Sequence, residues 1–379
     1  MEQKSTKSTA PKEPLRIRMR RLAVRWLCRG LVILLVWGGL FLYNGYAHLD
    51  RIFSGPSDTA KLRTLEYLNS DNKTAWIPGL FLSNEEIASL RGSGSRPEKD
   101  DPSQNSNIRV ESEMYRGTPD DEWADWPDGI QIRKIGGPSY QAYAILIRDP
   151  SRVYLGLSNP EPAPSLPGKT IAQIMEEQDA VVAINAAEFN RSLSDIEAPG
   201  SKPLGQLVSN GRIAWDSGAP RYLGFVGLNN ENTLCVEAEP PTVKEIVRDM
   251  EIRDGCSTGP VLLEDGKVRE RVLKQLPQIR PQSAIGQRED GTVIFLCLDG
   301  WQPSSMGGTL LDLARLMKDL DAVTACALDG GNSTQMMYRD SAGKFGPANE
   351  IYMVNSRASL QSELEPMPSF WLVQSVKED

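Results

Sequence analysis

Thr292-Val-Ile-Phe-Leu-Cys-Leu298 and Ala322-Val-Thr-Ala-Cys-Ala-Leu328 are continuous apolar runs of strand length. Between them Leu310, Leu313, Ala314 and Met317 recur at i, i+3, i+4 and i+7, which puts one apolar face on a helix. Strand, helix and strand in that order read as a βαβ unit, two parallel neighbours joined by a right-handed crossover. Both strands end alike, in Leu298-Asp299-Gly300 and Leu328-Asp329-Gly330-Gly331. Parallel strands would bring both carboxylates to one sheet edge, where open α/β sheets bind ligands.

Outward from this unit the chain is dense in short β runs with Gly, Asn or Asp at the joints. Strands are expected at Ile130–Ile135, Tyr140–Ile147, Val153–Leu157, Ala180–Ile184, Gln206–Ser209, Leu223–Val226 and Val261–Leu263. Asn210-Gly211 marks a hairpin between two runs. Helices are expected at Thr170–Glu177, Val243–Met250 and Gly308–Leu320, and shorter ones around Ala60–Leu68 and Asn84–Leu90. The fold class is therefore α/β in the broad sense, a mixed α+β, β-rich domain with a C-terminal βαβ unit.

The N-terminus is of another kind. Residues 1–30 hold nine Lys or Arg against two Glu, so the rest of a chain of net charge −8 carries −15. So acidic a body repels phosphate backbones and argues against nucleic-acid binding. The basic stretch runs into Leu31-Val-Ile-Leu-Leu-Val-Trp-Gly-Gly-Leu-Phe-Leu-Tyr43 and weakly apolar sequence to Leu49. That order predicts a basic cytoplasmic tail (1–30), a transmembrane anchor (31–49) and an exported remainder. The rival is a cleaved signal peptide, with Gly45-Tyr-Ala47 offering small residues at the right offsets. Residues 92–106 are polar and free of large apolar side chains, so 50–106 reads as a juxtamembrane stalk and 107–379 as the main domain.

Of five cysteines, Cys28 sits beside the apolar stretch, leaving Cys235, Cys256, Cys297 and Cys326 in the domain. Disulfides are permitted there, but Cys297 and Cys326 lie within apolar strands and read as buried thiols. The single histidine, His48, precedes the domain. The domain therefore holds no Ser-His-Asp triad, no Cys-His pair and no His-bound metal. Carboxylate pairs, the usual equipment of glycoside hydrolysis, fit a histidine-free domain. No ligand spacing demands a metal or other cofactor; a divalent cation in the acidic loops is conceivable only.

Asp329 and Asp299 are thus the leading candidates for catalysis. Asp-Gly also marks plain turns, but here the polar run Asn332-Ser333-Thr334-Gln335 follows, whose amides and hydroxyls suit phosphate or sugar oxygens. Gly330, Gly331, Ser333 and Thr334 are candidate binding positions. A third strand end, Ile184-Asn185-Ala186-Ala187-Glu188-Phe189, offers the Asn185 amide beside small residues, and Glu188 adds a carboxylate. The plain alternative for Asn185 is an Asx turn closing the strand.

Taken in order, these segments resemble the phosphodiester glycosidase family. The similarity covers roughly 130–373. It is carried by Asp149-Pro-Ser-Arg-Val153, by Ile184–Phe189 against the family's Asn-Ala-Gly-Phe-Phe or Asn-Ala-Gly-Gly-Phe, and by Pro203-Leu204-Gly205. Ser209-Asn210-Gly211, Gly259-Pro260-Val-Leu262 with Asp265-Gly266, Ser283-Ala284-Ile285-Gly286, Gly308-Thr309-Leu310 and Leu328–Ser333 continue it. The resemblance implies cleavage of a sugar C1–O bond whose leaving group is a phosphate ester.

Departures accompany it. Pro281-Gln282-Ser283 stands for Pro-Arg-Thr, Asp299-Gly300-Trp301 stands for Asp-Gly-Arg, and Glu363–Ser369 lacks a late arginine. Arginine forks are natural clamps for phosphate; Arg280 and Arg288 lie near the first gap. Gln282, Ser283 and Trp301 thereby become substrate-binding candidates, Trp301 as a face for a sugar ring or as simple packing. Two functions are expected to compete. One is hydrolysis of a sugar 1-phosphodiester on an envelope glycan or exopolysaccharide. The other is a membrane-tethered glycan-binding protein on a degenerate form of the same scaffold.

Overall fold

The computed structural model describes residues 15–54, 76–93, 123–136, 140–191, 198–218, 223–274, 278–302, 305–341, 347–356 and 363–376, and positions 61, 64, 65, 68, 343 and 344. Contacts divide the chain into two units, Met1–Ser54 and Gly55–Asp379. In the first, Leu15–Ser54 forms one α-helix, α1. Among the described residues no helix is long and apolar enough to cross a membrane. The anchor expected over 31–49 is therefore not supported. Its uninterrupted apolar part, Leu31–Tyr43, is 13 residues, about 20 Å of helix against a hydrocarbon core of roughly 30 Å. Asn44, Gly45 and His48 then dilute the apolar character up to Leu49. Most of the expected stalk, including 94–106, lies outside the described residues, although Asn84–Ser93 is helical (α2) as expected.

In the second unit seventeen described strands form three sheets. Seven lie in the first sheet: β1 (Ile130–Gly136), β2 (Gln141–Ile147), β10 (Val261–Glu264), β11 (Lys267–Val268), β12 (Gln282–Arg288), β13 (Val293–Leu298) and β14 (Ala322–Ala327). Its spatial order is β1-β2-β13-β12-β14-β10-β11. The second sheet contains β3 (Val153–Leu157), β4 (Ala180–Asn185), β15 (Met336–Arg339), β16 (Ile351–Met353) and β17 (Ser369–Gln374), in the order β16-β15-β4-β17-β3. The third contains β5 (Gln206–Ser209), β6 (Arg212–Asp216), β7 (Gly224–Asn229), β8 (Leu234–Glu237) and β9 (Ile252–Thr258), in the order β6-β5-β9-β7-β8. The hairpin signal Asn210-Gly211 joins β5 to β6, both residues having positive φ, as a type I′ turn requires.

The βαβ reading needs one correction. β13 and β14 are parallel but not neighbours, because β12 lies between them and pairs antiparallel with both. Gln282-Ser-Ala-Ile-Gly-Gln-Arg288 is polar in composition yet buried along its whole length, so no apolar pattern advertises it. Beyond the short helix α4 (Glu270–Lys274), the crossover helix α5 (Leu310–Asp319) forms as expected. Thr309 caps it by accepting from the Asp312 amide, while Asp312 accepts from the Thr309 amide. The helix expected at Val243–Met250 is a five-residue π-turn, Glu245–Asp249.

Alternation along β13 shows where the core sits. Val293, Phe295 and Cys297 face a core shared with strands of the other two sheets, while Ile294, Leu296 and Leu298 face α5. The run is apolar throughout because both faces are covered. β17 does the same for the second sheet. Trp371 and Val373 point into the shared core, and Phe370 and Leu372 pack beneath α3 (Ile171–Glu177). Burial of each such large side chain contributes about 1.5–3 kcal/mol. Cys256, Cys297 and Cys326 are buried free thiols and Cys235 is a half-buried one.

Candidate active site

The carboxyl ends of β14 and β4 and the start of β12 meet at one edge of the domain. Asn185, last residue of β4, donates its side-chain amide to the Asp329 carbonyl (2.6 Å), and the Asp329 amide donates to the Ala186 carbonyl (3.3 Å). Ser283 on β12 donates its hydroxyl to the same Asp329 carbonyl (2.7 Å). The backbone of Asp329 is therefore fixed from two strands, and its carboxylate is free to point elsewhere.

That carboxylate meets an arginine. Arg191, six residues beyond the end of β4, donates to Asp329 Oδ2 (2.5 Å), to Ser333 Oγ, and through Nε to Glu365 Oε1 (2.9 Å). Ser333 in turn donates to Glu365 Oε2 (2.7 Å). The guanidinium lies over the Phe189 ring, 4.2 Å from its centroid, an arrangement that steadies a cation without neutralising it. Burial raises the Asp329 carboxyl above its ordinary value, with Arg191 pulling it down and Glu365 adding to the rise.

Glu188 shares this space. Its carbonyl accepts from the Leu204 amide (2.8 Å), and the adjacent Phe189–Pro203 bridge holds the segment in place. Burial raises its carboxyl to about 7; the charge of Asp329 adds to the rise, and Arg280 and Arg191 oppose it. Arg280 comes from the residues just before β12. Its Nε is buried and without a hydrogen-bond partner among the described residues. A Cβ on Gly330 would stand 3.5 Å from Arg280 Cζ and 3.1 Å from the Pro281 carbonyl. Glycine there allows the guanidinium to lie against the turn that carries Asp329. Gly331 has φ +68°, and a Cβ on it would meet the Trp301 ring at 3.1 Å. Trp301, 46% exposed, thus forms a rim over the glycine turn.

Asp299 lies at the same sheet edge in different company. Its Oδ1 accepts from the Ser356 amide (2.9 Å), and its carbonyl accepts from Ser305 Oγ (2.7 Å). Asn355, beside Ser356, donates to the Thr334 carbonyl (3.1 Å) and accepts from the Met336 amide (2.7 Å). Asp299 therefore braces a turn that braces the Ser333–Gln335 loop. Burial pushes its carboxyl up to about 6, against hydrogen bonds from Ser356 and Asn355.

The structure thus gathers Asp329, Glu188, Ser333, Gly330, Gly331 and Trp301 around one space. It assigns other work to three sequence candidates. The Asn185 amide, expected to be open to a ligand, is fully buried and occupied by backbone partners. Gln282 is buried and donates to the Gly308 carbonyl (3.0 Å), and Ser283 holds the Asp329 carbonyl. Thr334 Oγ1 is buried without a partner among the described residues. Arg288 is at the far end of β12, bonded to the Leu320 carbonyl (2.8 Å) and distant from the site in register. Arg191 and Glu365 were not legible in the sequence. The one available signal was an arginine close behind Glu188-Phe189. Among the described residues no group of three or more His, Cys, Asp or Glu could hold a metal ion.

Two arginines around a buried carboxylate and a raised carboxylic acid suit an anionic sugar derivative. The phosphodiester glycosidase sequence profile matches residues 178–373, which contain all of these side chains. The chain belongs to the phosphodiester glycosidase family. A Bacillus subtilis (strain 168) relative, SPbeta prophage-derived uncharacterized protein YomE, is 28% identical over 192 residues, 49% of this chain. The chain spans only 27% of that relative's length. Among solved structures, the zebrafish N-acetylglucosamine-1-phosphodiester alpha-N-acetylglucosaminidase catalytic domain, auto-inhibited by its pro-peptide, aligns with a TM-score of 0.50 at 18% identity. That alignment covers 65% of this chain and 82% of the other, and it shows a shared phosphodiester glycosidase fold. A hypothetical protein from Synechocystis aligns at 16% identity with a TM-score of 0.47, over 66% of this chain and 63% of the other.

Proposed function

We propose that the chain hydrolyses a sugar 1-phosphodiester, breaking the C1–O bond and releasing a phosphate ester. The observation that carries this reading is Arg191 bonded to Asp329, with Arg280 lying against the adjoining Gly330 turn, its Nε buried and without a partner among the described residues. A diester phosphate entering between them meets the charge-assisted donors that such a group needs. Its leaving oxygen departs with the bonding electrons as a phosphate monoester and requires no proton. Arg280 and Arg191 neutralise the charge that develops there. Water adds at C1 and loses its proton to Asp329, which then releases it to solvent. Trp301 and the Gly330-Gly331 turn border the sugar. Glu188, its carboxyl raised to about 7 by burial and the Asp329 charge, adds less negative charge beside the phosphate than an ordinary glutamate would.

We infer a substrate that belongs to an envelope glycan or an exopolysaccharide, on the support of the basic stretch followed by an apolar one that precedes an acidic domain. The family arginines absent at 282 and 301 have functional counterparts in Arg191 and Arg280, which favours the enzyme over the binding scaffold. The test is turnover of an N-acetylglucosamine 1-phosphodiester, and of a panel of other sugar 1-phosphodiesters, by the full chain. Activity that disappears in Asp329→Asn supports the reading. Binding of the diesters without turnover would replace it with a glycan-binding function on the same scaffold.

A further inference from the structure

Glu188 is an ionisable group of the site that phosphodiester cleavage leaves without a task. It is nevertheless positioned with care. Asn185 and Ala186 before it are hydrogen-bonded to the Asp329 backbone, Arg191 after it binds the Asp329 carboxylate, and its own carbonyl is held by the Leu204 amide. The segment from Asn185 to Arg191 therefore wraps Asp329, and Glu188 sits midway along the wrap. Among the described residues no donor hydrogen-bonds its carboxyl, although Asp329, Arg280 and Arg191 are all close enough to act on its charge. A carboxyl without a hydrogen-bonded partner, near enough to a second carboxylate to feel its charge, offers the two groups that glycoside hydrolysis uses as acid and base.

We propose that Glu188 is a general acid that extends the same pocket to ordinary O-glycosides, whose leaving group is an alcohol rather than a phosphate ester. The inference rests on the pocket binding a sugar with C1 near Asp329, as proposed above, and adds a second substrate class. An alkoxide is a poor leaving group and must be protonated as it departs, whereas a phosphate ester leaves without a proton. In the added reaction the Glu188 carboxyl gives its proton to the glycosidic oxygen. The C1–O bond breaks with its electron pair going to that oxygen, and the alcohol leaves. Water supplies the hydroxyl at C1 and its proton passes to Asp329; exchange with solvent returns the pair to one protonated and one ionised carboxyl. The balance is one water consumed and two hydroxyls formed. Burial and the neighbouring Asp329 charge raise the Glu188 carboxyl to about 7, so a substantial share of the acid still carries its proton near neutral pH.

The test compares leaving groups on one sugar with the full chain: the 1-phosphodiester, a nitrophenyl glycoside and a simple alkyl glycoside. The wild type is expected to turn over all three. Glu188→Gln, nearly the same shape, is expected to lower kcat/KM on the alkyl glycoside by about 10²–10⁴-fold. On the nitrophenyl glycoside it costs less, and on the diester about tenfold at most. Wild-type turnover of the diester with none of the alkyl or nitrophenyl glycoside would overturn this proposal and leave the phosphodiesterase reading standing. An equal loss across all three substrates would also overturn it, because Glu188 would then be supporting the pocket rather than donating a proton. Failure on all three would remove the reading beneath it as well.

Discussion

Asp329 and Asp299 end two parallel strands of one sheet with the same Leu-Asp-Gly sequence, and they stand two strand positions apart, about 10 Å. Their surroundings differ entirely. Asp329 faces Arg191 and Ser333, with Glu188 near it and Arg280 against its glycine turn, whereas Asp299 receives the Ser356 amide and braces a turn. What separates them is the inserted strand β12, whose approach brings Arg280 against the Asp329 turn. An identical motif at an identical sheet edge is thus no measure of function. The partners recruited from elsewhere in the chain decide it.

The sharpest way to break this comparison is to remove each charge in turn. Asp329→Asn is expected to lower diester turnover by about 10³-fold or more, while Asp299→Asn lowers it by about tenfold or less. Steady-state kinetics on proteins with matching circular dichroism decide between them, and equal losses would make both carboxylates catalytic. Next in size, Arg280→Ala is expected to reduce kcat/KM on the diester by about 10–100-fold, the scale of one charge-assisted hydrogen bond. The same change should scarcely alter competition by the neutral free sugar, and a comparable loss there would argue against a phosphate contact.

On stability the ranking should reverse. Asp299→Ala leaves the Ser356 amide without its acceptor and is expected to cost about 1–3 kcal/mol in denaturant unfolding, more than Asp299→Asn. The smaller pH effect belongs to Glu188. Its folded carboxyl titrates near 7 against an ordinary 4.5, so between those values the native state holds more protons than the unfolded chain. Stability present below pH 4.5 is then lost as pH rises towards 7. Glu188→Gln lacks that loss, so its melting temperature relative to wild type should climb from pH 4 to pH 8. A flat difference would show that burial and the Asp329 charge do not hold the Glu188 carboxyl up against Arg280 and Arg191 in this way. Smallest of all, Trp301→Ala is expected to raise KM only about three- to tenfold, an exposed ring contributing about 0.5–1.5 kcal/mol.

Much of this architecture was legible in the sequence. The apolar runs of β13 and β14, the i, i+3, i+4, i+7 face of α5 and the turn at Asn210-Gly211 each carry a local signal that the fold obeys. β12 was hidden because Gln282, Ser283 and Gln287 are polar side chains buried with hydrogen-bond partners, which defeats any reading by apolar pattern. The site was half legible for a related reason. Strand-end carboxylates are marked by the turn directly after them. Arg191 and Glu365 meet across 174 residues of sequence, and nothing local announces a contact of that span. Asn185 shows the opposite error. Its position was evident, yet its amide closes the backbone of Asp329 instead of waiting for a ligand.

The place of β17 has a consequence for how the chain comes into being. Ser369–Gln374 is an inner strand of its sheet, between β4 and β3, pairing with residues more than 180 positions earlier. During synthesis β3 and β4 each present an unsatisfied edge, and Phe189 and Met367 await a common packing layer. The ribosome must deliver Ser369–Gln374, more than 180 residues after β4, before that gap is filled. The domain is thus slow to mature by topology, and a chain cut before Ser369 would emerge with two sticky edges, a substrate for chaperones or aggregation.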